Sequence, residues 1–489
     1  MWRIRMFKFP TLRLKQLSAA MLVVGVLSGC TLAPTYERPQ APVEGSYPAD
    51  AKGQAAYDAA TLGWRQFFPD QRLQALIAAA LENNRDLRTA ALNIEEARAQ
   101  YQIARADLLP TLNATGSESR TRLSSSQSTT GSPLITKSYQ VGLAVPAYEL
   151  DFFGRVRSLK DAALATYLST EEAKQSVQIS LVSQVAQAYL TERSYAEQLK
   201  LAQQTLESRQ SNLGLAQKRF DVGASSALDL RLSDTLVQSA RTSVATLLRQ
   251  RAQAENALTL LVGTNVKDLP AGQDLSLQNI VTDIPAGVPS DLLARRPDIR
   301  SAEQKLLAAN ANIGAARAAF FPRISLTGSF GSASSSLGGL FDSGSGAWSY
   351  GPQLSLPIFD FGRNSANLDV AEVRKNQAIV TYEKTIQTAF REVADALVAR
   401  GTLDEQIEAQ EAFLKAQQER LNLTDLRYKN GIASSLDQLD AQRDLFSAQQ
   451  ALIQARQLRL NNAIDLYRAL GGGLNETTVS VAAAPSGPK

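Results

Sequence analysis

The chain has 489 residues, of which 44% are hydrophobic and 20% are charged. This length is enough for two or three ordinary domains, and the composition excludes an intrinsically disordered protein. The formal net charge of +4 falls to −1 once the five basic residues among the first 15 are left out, so the charge gives no support to a nucleic-acid partner.

The N-terminal segment is typical of a secretory signal. Its basic start contains no acidic residue, an apolar run extends from about Leu17 to Leu27, and Ser28 and Gly29 precede Cys30, the only cysteine. The order Leu-Ser-Gly-Cys resembles the bacterial lipobox, in which the cysteine becomes the first mature residue and is lipid-modified on its thiol. We therefore predict a signal peptide over residues 1–29 and an anchor of acyl chains such as palmitate on Cys30. An ordinary secretory cleavage or an uncleaved anchor is the alternative.

The rest of the chain is a tandem duplication with small insertions. Asp86-Leu87-Arg88 matches Asp298-Ile299-Arg300 at an offset of 212, and Gly154-Arg155 matches Gly362-Arg363 at 208. The offset of 208 holds through the pairs Gly223/Gly431, Asp229/Asp437 and Gly263/Gly471. The predicted organisation is an N-terminal segment over 30–68, a first repeat over 69–263, a linker over 264–289, a second repeat over 290–471 and a tail over 472–489.

Each repeat begins with a helical pattern that ends at Pro110 or Pro322, and a pair of strand patterns follows, over 110–148 and 322–358. In the first pair, Tyr139, Val141, Leu143 and Val145 alternate with polar or small residues, which predicts strands with one apolar face. Beyond residue 30 no apolar run reaches the roughly 18 residues of a membrane-spanning helix. If the mature chain crosses a membrane, it must therefore do so with β-strands.

After Gly154 and Gly362 the pattern stays helical for roughly 65 residues, about 100 Å of helix. Apolar residues recur every seven positions, which predicts supercoiled helices packed on neighbours. Each pattern reverses at a tip, near 219–229 and near 427–443, where Gly223 and Gly431 favour a positive φ. Around these glycines, possible caps for the returning helices are Ser225, Ser226, Ser434 and Ser435, with Asp229 and Asp437 in the first turn.

Four strands cannot close a membrane barrel, since the smallest known type has about eight. Open strand edges are not tolerated in lipid, so several copies must share one barrel. We therefore predict a mixed α and β chain with four membrane strands and very long helical hairpins. Three copies would form one 12-stranded β-barrel, continuous with an α-helical barrel.

The duplicated plan, Phe153-Gly154-Arg155, Asp360-Phe361-Gly362-Arg363 and the stretch from Arg427 to Arg443 resemble the TolC-like outer-membrane factor family, in its lipoprotein branch. The resemblance covers essentially the whole mature chain and rests on the order and spacing of these motifs. It implies a homotrimer with a barrel in the lipid of the outer membrane and a helical tunnel across the periplasm. It also implies an equatorial girdle built from 30–68, the linker and the tail.

In function, the resemblance implies the exit channel of a tripartite pump that expels drugs and other small toxic compounds. The implied partners are a periplasmic adaptor (membrane fusion) protein and an inner-membrane transporter of the resistance-nodulation-division type. A type I protein secretion duct has the same architecture and stays open, whereas a lipoprotein coiled-coil scaffold has no use for strands with one apolar face. The chain has no histidine and no Gly-rich phosphate loop, so we expect no enzyme, no catalytic residue, no metal and no cofactor.

The resemblance places Leu436 and Asp440 at a narrow periplasmic gate, with Tyr428 and Arg443 as the polar contacts that hold it closed. Leu436 and Asp440 are four residues apart, so a trimer would carry a leucine ring above an aspartate ring. The alternative is that Leu436 is a packing residue and Asp440 a solvated surface charge.

We also predict that the tips dock the adaptor, because their small residues allow a partner helix to approach closely. The alternative is that these residues serve only the turn. The residues concerned are Gly223, Ala224, Leu228, Asp229, Gly431, Ile432, Ser434 and Asp437.

Overall fold

The computed structural model describes residues 31–47, 59–265, 269–282, 284 and 289–478. Cys30 and the expected signal peptide lie outside these residues. The helices are α1 Trp64–Phe67, α2 Gln71–Asn83, α3 Arg85–Ala106, α4 Arg155–Asp221, α5 Ala227–Val262, α6 Pro289–Arg295, α7 Pro297–Ala318, α8 Arg363–Lys429 and α9 Ser435–Ala469. The strands are β1 Asn113–Leu123, β2 Leu134–Glu149, β3 Arg323–Ser334 and β4 Gly346–Ser355. The predicted mixture of long helices with a small sheet is confirmed.

None of the helices in these ranges has both the length and the apolar composition that crossing a membrane demands. The chain divides into two compact units, and both halves of the duplication contribute to each. Of the described residues, the first unit contains those up to Pro39, Glu95–Ser169 and Glu303–Thr381. The second contains the described residues within Gln40–Ile94 and Thr170–Ala302, and those from Tyr382 to residue 478.

The first unit contains a four-stranded antiparallel sheet in the order β1-β2-β3-β4. Leu143 lies opposite Phe330, which in turn lies opposite Trp348, so one face carries an exposed apolar row across three strands. The other face is polar, because Ser329 and Ser349 lie opposite each other with their Oγ atoms 2.8 Å apart. Within the described residues, the outer edges of β1 and β4 have no partner strand.

Two glycines allow the central strands β2 and β3 to lie close together. Gly142 on β2 lies directly opposite Gly331 on β3. A methyl group on Gly142 would collide with the carbonyl oxygen of Phe330, and one on Gly331 would collide with that of Val141. Any larger residue at either position would therefore force the two central strands apart.

An extended N-terminal strap, residues 31–39, lies along α7 in the first unit. Arg38 donates to both carboxylate oxygens of Glu303, at 2.7 and 2.8 Å, and the Tyr36 hydroxyl donates to the same group at 3.0 Å. Further along α7, the side-chain amide of Asn310 donates to the carbonyl of Pro34 at 2.7 Å. The strap therefore runs antiparallel to α7.

The second unit has a large buried core in which aromatic rings join helices that are distant in sequence. The rings of Phe67 on α1 and Tyr467 on α9 stack with their centroids 4.0 Å apart. The Tyr467 hydroxyl donates to the carbonyl of Leu62 at 2.6 Å. Val185 on α4 and Val393 on α8 occupy equivalent heptad positions and are both fully buried. Burying each such apolar side chain contributes about 1.5–3 kcal/mol.

Charged residues interrupt the heptads at equivalent positions, and each has a partner. Glu192 on α4 is buried and accepts a hydrogen bond of 3.0 Å from Arg251 on α5. Arg400 on α8 donates to the carbonyl of Ile284 at 3.3 Å. These partners offset part of the cost of placing a charge in the helical seam, although the second carboxylate oxygen of Glu192 accepts no hydrogen bond from the described residues.

Buried Asp70 joins three parts of the second unit. It caps α2, accepts a hydrogen bond of 2.6 Å from Tyr189 on α4, and accepts one of 2.7 Å from Gln278 in the linker. Burial raises the pKa of Asp70, but the hydrogen bonds, that from Tyr189 foremost, outweigh it and lower the pKa overall.

Candidate functional site

The two hairpin tips are built on the same backbone plan. Helix α4 is followed by Gly223 with φ 72°, and α8 is followed by Gly431 with φ 71°. The amide of Ala224 donates to the carbonyl of Arg219 at 2.7 Å, and that of Ile432 donates to the carbonyl of Arg427 at 2.8 Å. These six-to-one bonds close a Schellman-type helix end, and the left-handed residue it requires is the glycine.

One serine at each tip caps the returning helix. The Ser226 hydroxyl accepts from the amide of Asp229, and the Ser226 amide donates to the Asp229 carboxylate in return. Ser434 and Asp437 form the same capping box on α9. Hydrogen bonding lowers the pKa of Asp229, with Ser435 and then Ser226 as the main donors. Likewise, hydrogen bonds from Ser434 lower the pKa of Asp437. Of the four predicted caps, Ser225 and Ser435 do not cap a helix.

The two tips of one chain are bonded to each other. Arg219 on α4 donates to the hydroxyl of Tyr428 on α8 at 2.7 Å, and its guanidinium carbon lies 5.3 Å from the centre of the tyrosine ring. The hydroxyl of Ser435 donates to Asp229, which is the capping carboxylate of the other tip. We refer to these two contacts, Arg219–Tyr428 and Ser435–Asp229, as the tip link.

Arg219 is a candidate functional residue that was not predicted from the sequence. The repeat equivalent of Tyr428 is Phe220, which has no hydroxyl, so the link between the tips cannot be symmetric. The signal that could have indicated this contact is the tyrosine at position 428, where the other repeat has phenylalanine.

The four predicted gate residues have different environments. Leu436, on the first turn of α9, is 50% exposed. Asp440 lies one turn later and pairs with Arg443 on the same helix at 3.0 Å. Arg443 also reaches Asp444 at 3.5 Å, whereas Tyr428 belongs to the tip link. The structure thus brings Asp440 and Arg443 together within one helix and places Tyr428 against α4.

The end of each tip presents an apolar side chain to solvent. Leu228 is 68% exposed on α5, and Ile432 is 67% exposed in the turn before α9. A methyl group on Gly223 or Gly431 would meet no atom within 4 Å, so neither glycine is packed against the rest of the chain. The tips therefore combine exposed apolar residues with open space.

Comparison with known proteins connects this architecture with membrane export. A family model described as outer membrane efflux protein matches residues 76–264 and 288–472. The probable efflux pump outer membrane protein TtgC of Pseudomonas putida is 49% identical over 469 residues, covering 95% of this chain and 97% of that protein. The outer membrane protein OprJ of Pseudomonas aeruginosa is 48% identical over 460 residues, covering 94% and 96% respectively.

Solved structures of outer-membrane proteins also resemble this chain over almost its whole length. The open state of the MtrE outer membrane channel of Neisseria gonorrhoeae superposes with a TM-score of 0.85 at 45% identity. That match covers 92% of this chain and all of the other. A membrane protein from Pseudomonas aeruginosa superposes with a TM-score of 0.86 at 48% identity, covering 91% of this chain and 98% of the other.

Proposed function

The chain belongs to the outer membrane efflux protein family, and from that premise we infer that it is the outer-membrane exit channel of a tripartite efflux pump. It lies in the outer membrane and passes small toxic compounds outward, in concert with an adaptor and an inner-membrane pump. The observation that carries this function is the repeated succession of a strand pair and a helix of 67 residues. A helix of that length extends for about 100 Å, which is far more than one bilayer requires.

The working channel, we propose, is a homotrimer. The unpaired edges of β1 and β4 support this assembly, because an open edge in hydrocarbon leaves backbone groups without hydrogen bonds. If β4 of one copy pairs with β1 of the next, three copies close a barrel of 12 strands. The exposed row of Leu143, Phe330 and Trp348 would then face lipid.

In such a trimer the hairpins α4/α5 and α8/α9 would line a helical tunnel across the periplasm. Each chain contributes two tips, so the trimer presents six to a periplasmic adaptor of the membrane fusion type. Exposed Leu228 and Ile432 support apolar docking. The docking surface retains the eight residues named from the sequence, although Asp229, Ser434 and Asp437 also have structural roles in the caps. The inner-membrane partner we propose is a transporter of the resistance-nodulation-division type.

We propose that the periplasmic gate consists of Leu436, Asp440, Tyr428 and Arg443, together with Arg219. Carboxylates roughly 6 Å apart in a ring would repel by about 1–3 kcal/mol per pair at intermediate dielectric. The pairing of Asp440 with Arg443 supports a gate in which that repulsion is partly neutralised within each chain. The tip link then holds α8 against α4. Breaking its two contacts opens the periplasmic end of the channel.

We further propose that Cys30 anchors the mature chain. The strap begins one residue later and is fixed along α7 by the Arg38–Glu303 pair, which would keep the anchor close to the end of α7. Mass spectrometry of the mature N-terminus tests this directly, since an unmodified or absent cysteine contradicts it.

Electron microscopy of the purified protein in detergent tests the channel as a whole. We expect a threefold, elongated particle with a continuous central cavity. A monomeric or solid particle would contradict the trimer. An intact trimer that fails to restore drug resistance to a strain lacking its own exit channel would contradict the efflux role.

A further inference from the structure

A cavity of about 350 Å³ lies in the first unit, where the strands end and the long helices begin. Its walls come from the end of β2, the start of β3, the segment after β4, the starts of α4 and α8, and the segment after α7. Its charged lining residues are Glu149, Asp151, Asp360, Arg155, Arg323 and Arg363.

The three acidic residues of the lining are already occupied by donors from the chain. Glu149 accepts two hydrogen bonds from Arg155, at 2.8 and 2.7 Å, and pairs with Arg323 at 2.6 Å. Asp151 accepts from the first backbone amides of α4 and from Arg157. Asp360 accepts from the amides of Gly362 and Asn364 at the start of α8. Each carboxylate therefore serves a helix cap or an ion pair.

Two of the three arginines keep guanidinium N–H groups available. The side chain of Arg323 is 63% exposed and has one ion-pair contact. Arg363 is exposed on the first turn of α8, and its guanidinium makes no hydrogen bond or ion pair with any residue in the described ranges. Arg363 is the repeat equivalent of Arg155, whose guanidinium Glu149 binds with two hydrogen bonds. The second repeat has thus kept the cation without its carboxylate, and the cavity offers free donors to an anion.

The cavity also has an aromatic wall. The rings of Phe153 and Phe321 stack with their centroids 4.7 Å apart. Phe152 and Phe321 are 43% and 41% exposed, so part of this apolar surface remains open. Free guanidinium donors beside open aromatic surface match an anion that carries a hydrocarbon chain.

We propose that this cavity binds the phosphodiester group of a membrane glycerophospholipid, with Arg323 and Arg363 as the donors and the phenylalanines against the start of the acyl chains. The inference rests on the proposed function, because a sheet embedded in the outer membrane brings its strand ends to the level of lipid headgroups. Inorganic phosphate would satisfy the arginines but would leave the aromatic wall exposed.

The test uses the full-length protein, purified as trimers in detergent, stripped of lipid and titrated with phosphatidylglycerol under native mass spectrometry. Separate titrations use a diacylglycerol with the same chains, and inorganic phosphate as a competitor. The variants are Arg323→Gln, Arg363→Gln and the charge-retaining Arg363→Lys. Arg391→Gln is the control, since the Arg391 side chain is 71% exposed and its single ion-pair contact within the described residues, with Asp395, is long, at 4.0 Å.

We expect each glutamine variant to bind phosphatidylglycerol about tenfold more weakly, because a charge-assisted hydrogen bond is lost. Arg363→Lys should bind with intermediate affinity, and the control should match the wild type. Equal binding of diacylglycerol by the wild type would overturn the phosphate contact, and displacement of the lipid by inorganic phosphate would overturn the role of the aromatic wall. Unchanged lipid binding by both glutamine variants would overturn the proposal while leaving the channel intact. The absence of trimers in the wild-type spectra would instead contradict the proposed function.

Discussion

Arg219 and Tyr428 are 209 residues apart and lie on different long helices, yet the arginine donates a hydrogen bond of 2.7 Å to the tyrosine hydroxyl. The bond joins the last turn of α4 to the last turn of α8, so the ends of the two hairpins are fixed to each other within one chain. Because the two residues are not repeat equivalents, the duplication alone cannot create this contact. Separation of the tips must break it.

Tyr428→Phe removes the hydroxyl and retains the ring. Loss of this hydrogen bond to a charged donor should cost about 1.5–3 kcal/mol in the closed state. We expect single trimers in planar bilayers to conduct several-fold more than wild type, with trimer melting unchanged. Phe220→Leu at the equivalent position of the other repeat is the control. Wild-type conductance in Tyr428→Phe would remove the tip link from the gate.

Arg443→Ala should strengthen the preference of the channel for cations, because Asp440 loses the guanidinium 3.0 Å away. Asp440→Asn should weaken that preference. Reversal potentials across a salt gradient measure both changes. If both variants shift the potential in the same direction, or neither shifts it, the aspartate ring does not line the pore.

The Ser435–Asp229 contact should respond to acid. Hydrogen bonds from Ser435 and Ser226 lower the pKa of Asp229 below its ordinary value of 3.8. A lowered pKa stabilises the folded tip above pH 3.8, and this contribution is lost as the pH falls through the lowered value. Hydrogen exchange of the first-turn amides of α5 should therefore accelerate relative to other amides only below pH 3.8. Ser435→Ala should reduce this pH dependence, and an unaltered profile would contradict the contact.

Ala224→Trp and Ile432→Trp should abolish efflux and leave trimer yield normal, since both positions are exposed and lie outside the capping boxes. Drug susceptibility of complemented cells and crosslinking to the adaptor measure the loss. Gln210→Trp introduces the same bulk at an exposed site away from the tip. Normal efflux with either tip variant would exclude that tip from docking.

Gly142→Ala should prevent assembly, because the added methyl group collides with the carbonyl of Phe330 on the neighbouring strand. Gly116→Ala lies in the same sheet, and its methyl group would have open space around it. The yield of heat-modifiable trimers in outer-membrane fractions compares the two. Equal yields would show that the central strands can separate without loss of the barrel.

The sequence predicted those features that depend on a regular period or on a local motif. Val185 and Val393 are buried because the heptad repeat continues through both halves, and the tips turn at Gly223 and Gly431 because each glycine has a positive φ. The pairing of Asp440 with Arg443 was not predicted, although their i,i+3 spacing favours it, because Arg443 was assigned to a contact between neighbouring helices.

Contacts that depend on how one long helix lies against another could not be predicted. Four serines near the tips were equally suitable as caps, and only the helix starts distinguish Ser226 and Ser434. The Arg219–Tyr428 bond requires the ends of α4 and α8 to lie at the same level, which no single-helix pattern encodes. The difference between Arg155 and Arg363 could not be predicted for a similar reason, because both arginines belong to the repeated motif and only the fold brings Glu149 of β2 to Arg155.

The exchange of segments between the two repeats has a kinetic consequence for biogenesis. Strand β2 of the first repeat pairs with β3 of the second, and Arg38 of the strap finds Glu303 only after 265 residues of chain. Neither unit can therefore be completed while the second repeat is still being translocated. The emerging first repeat must be kept unaggregated during that interval, and closure of such non-local contacts should make the folding of each chain slow.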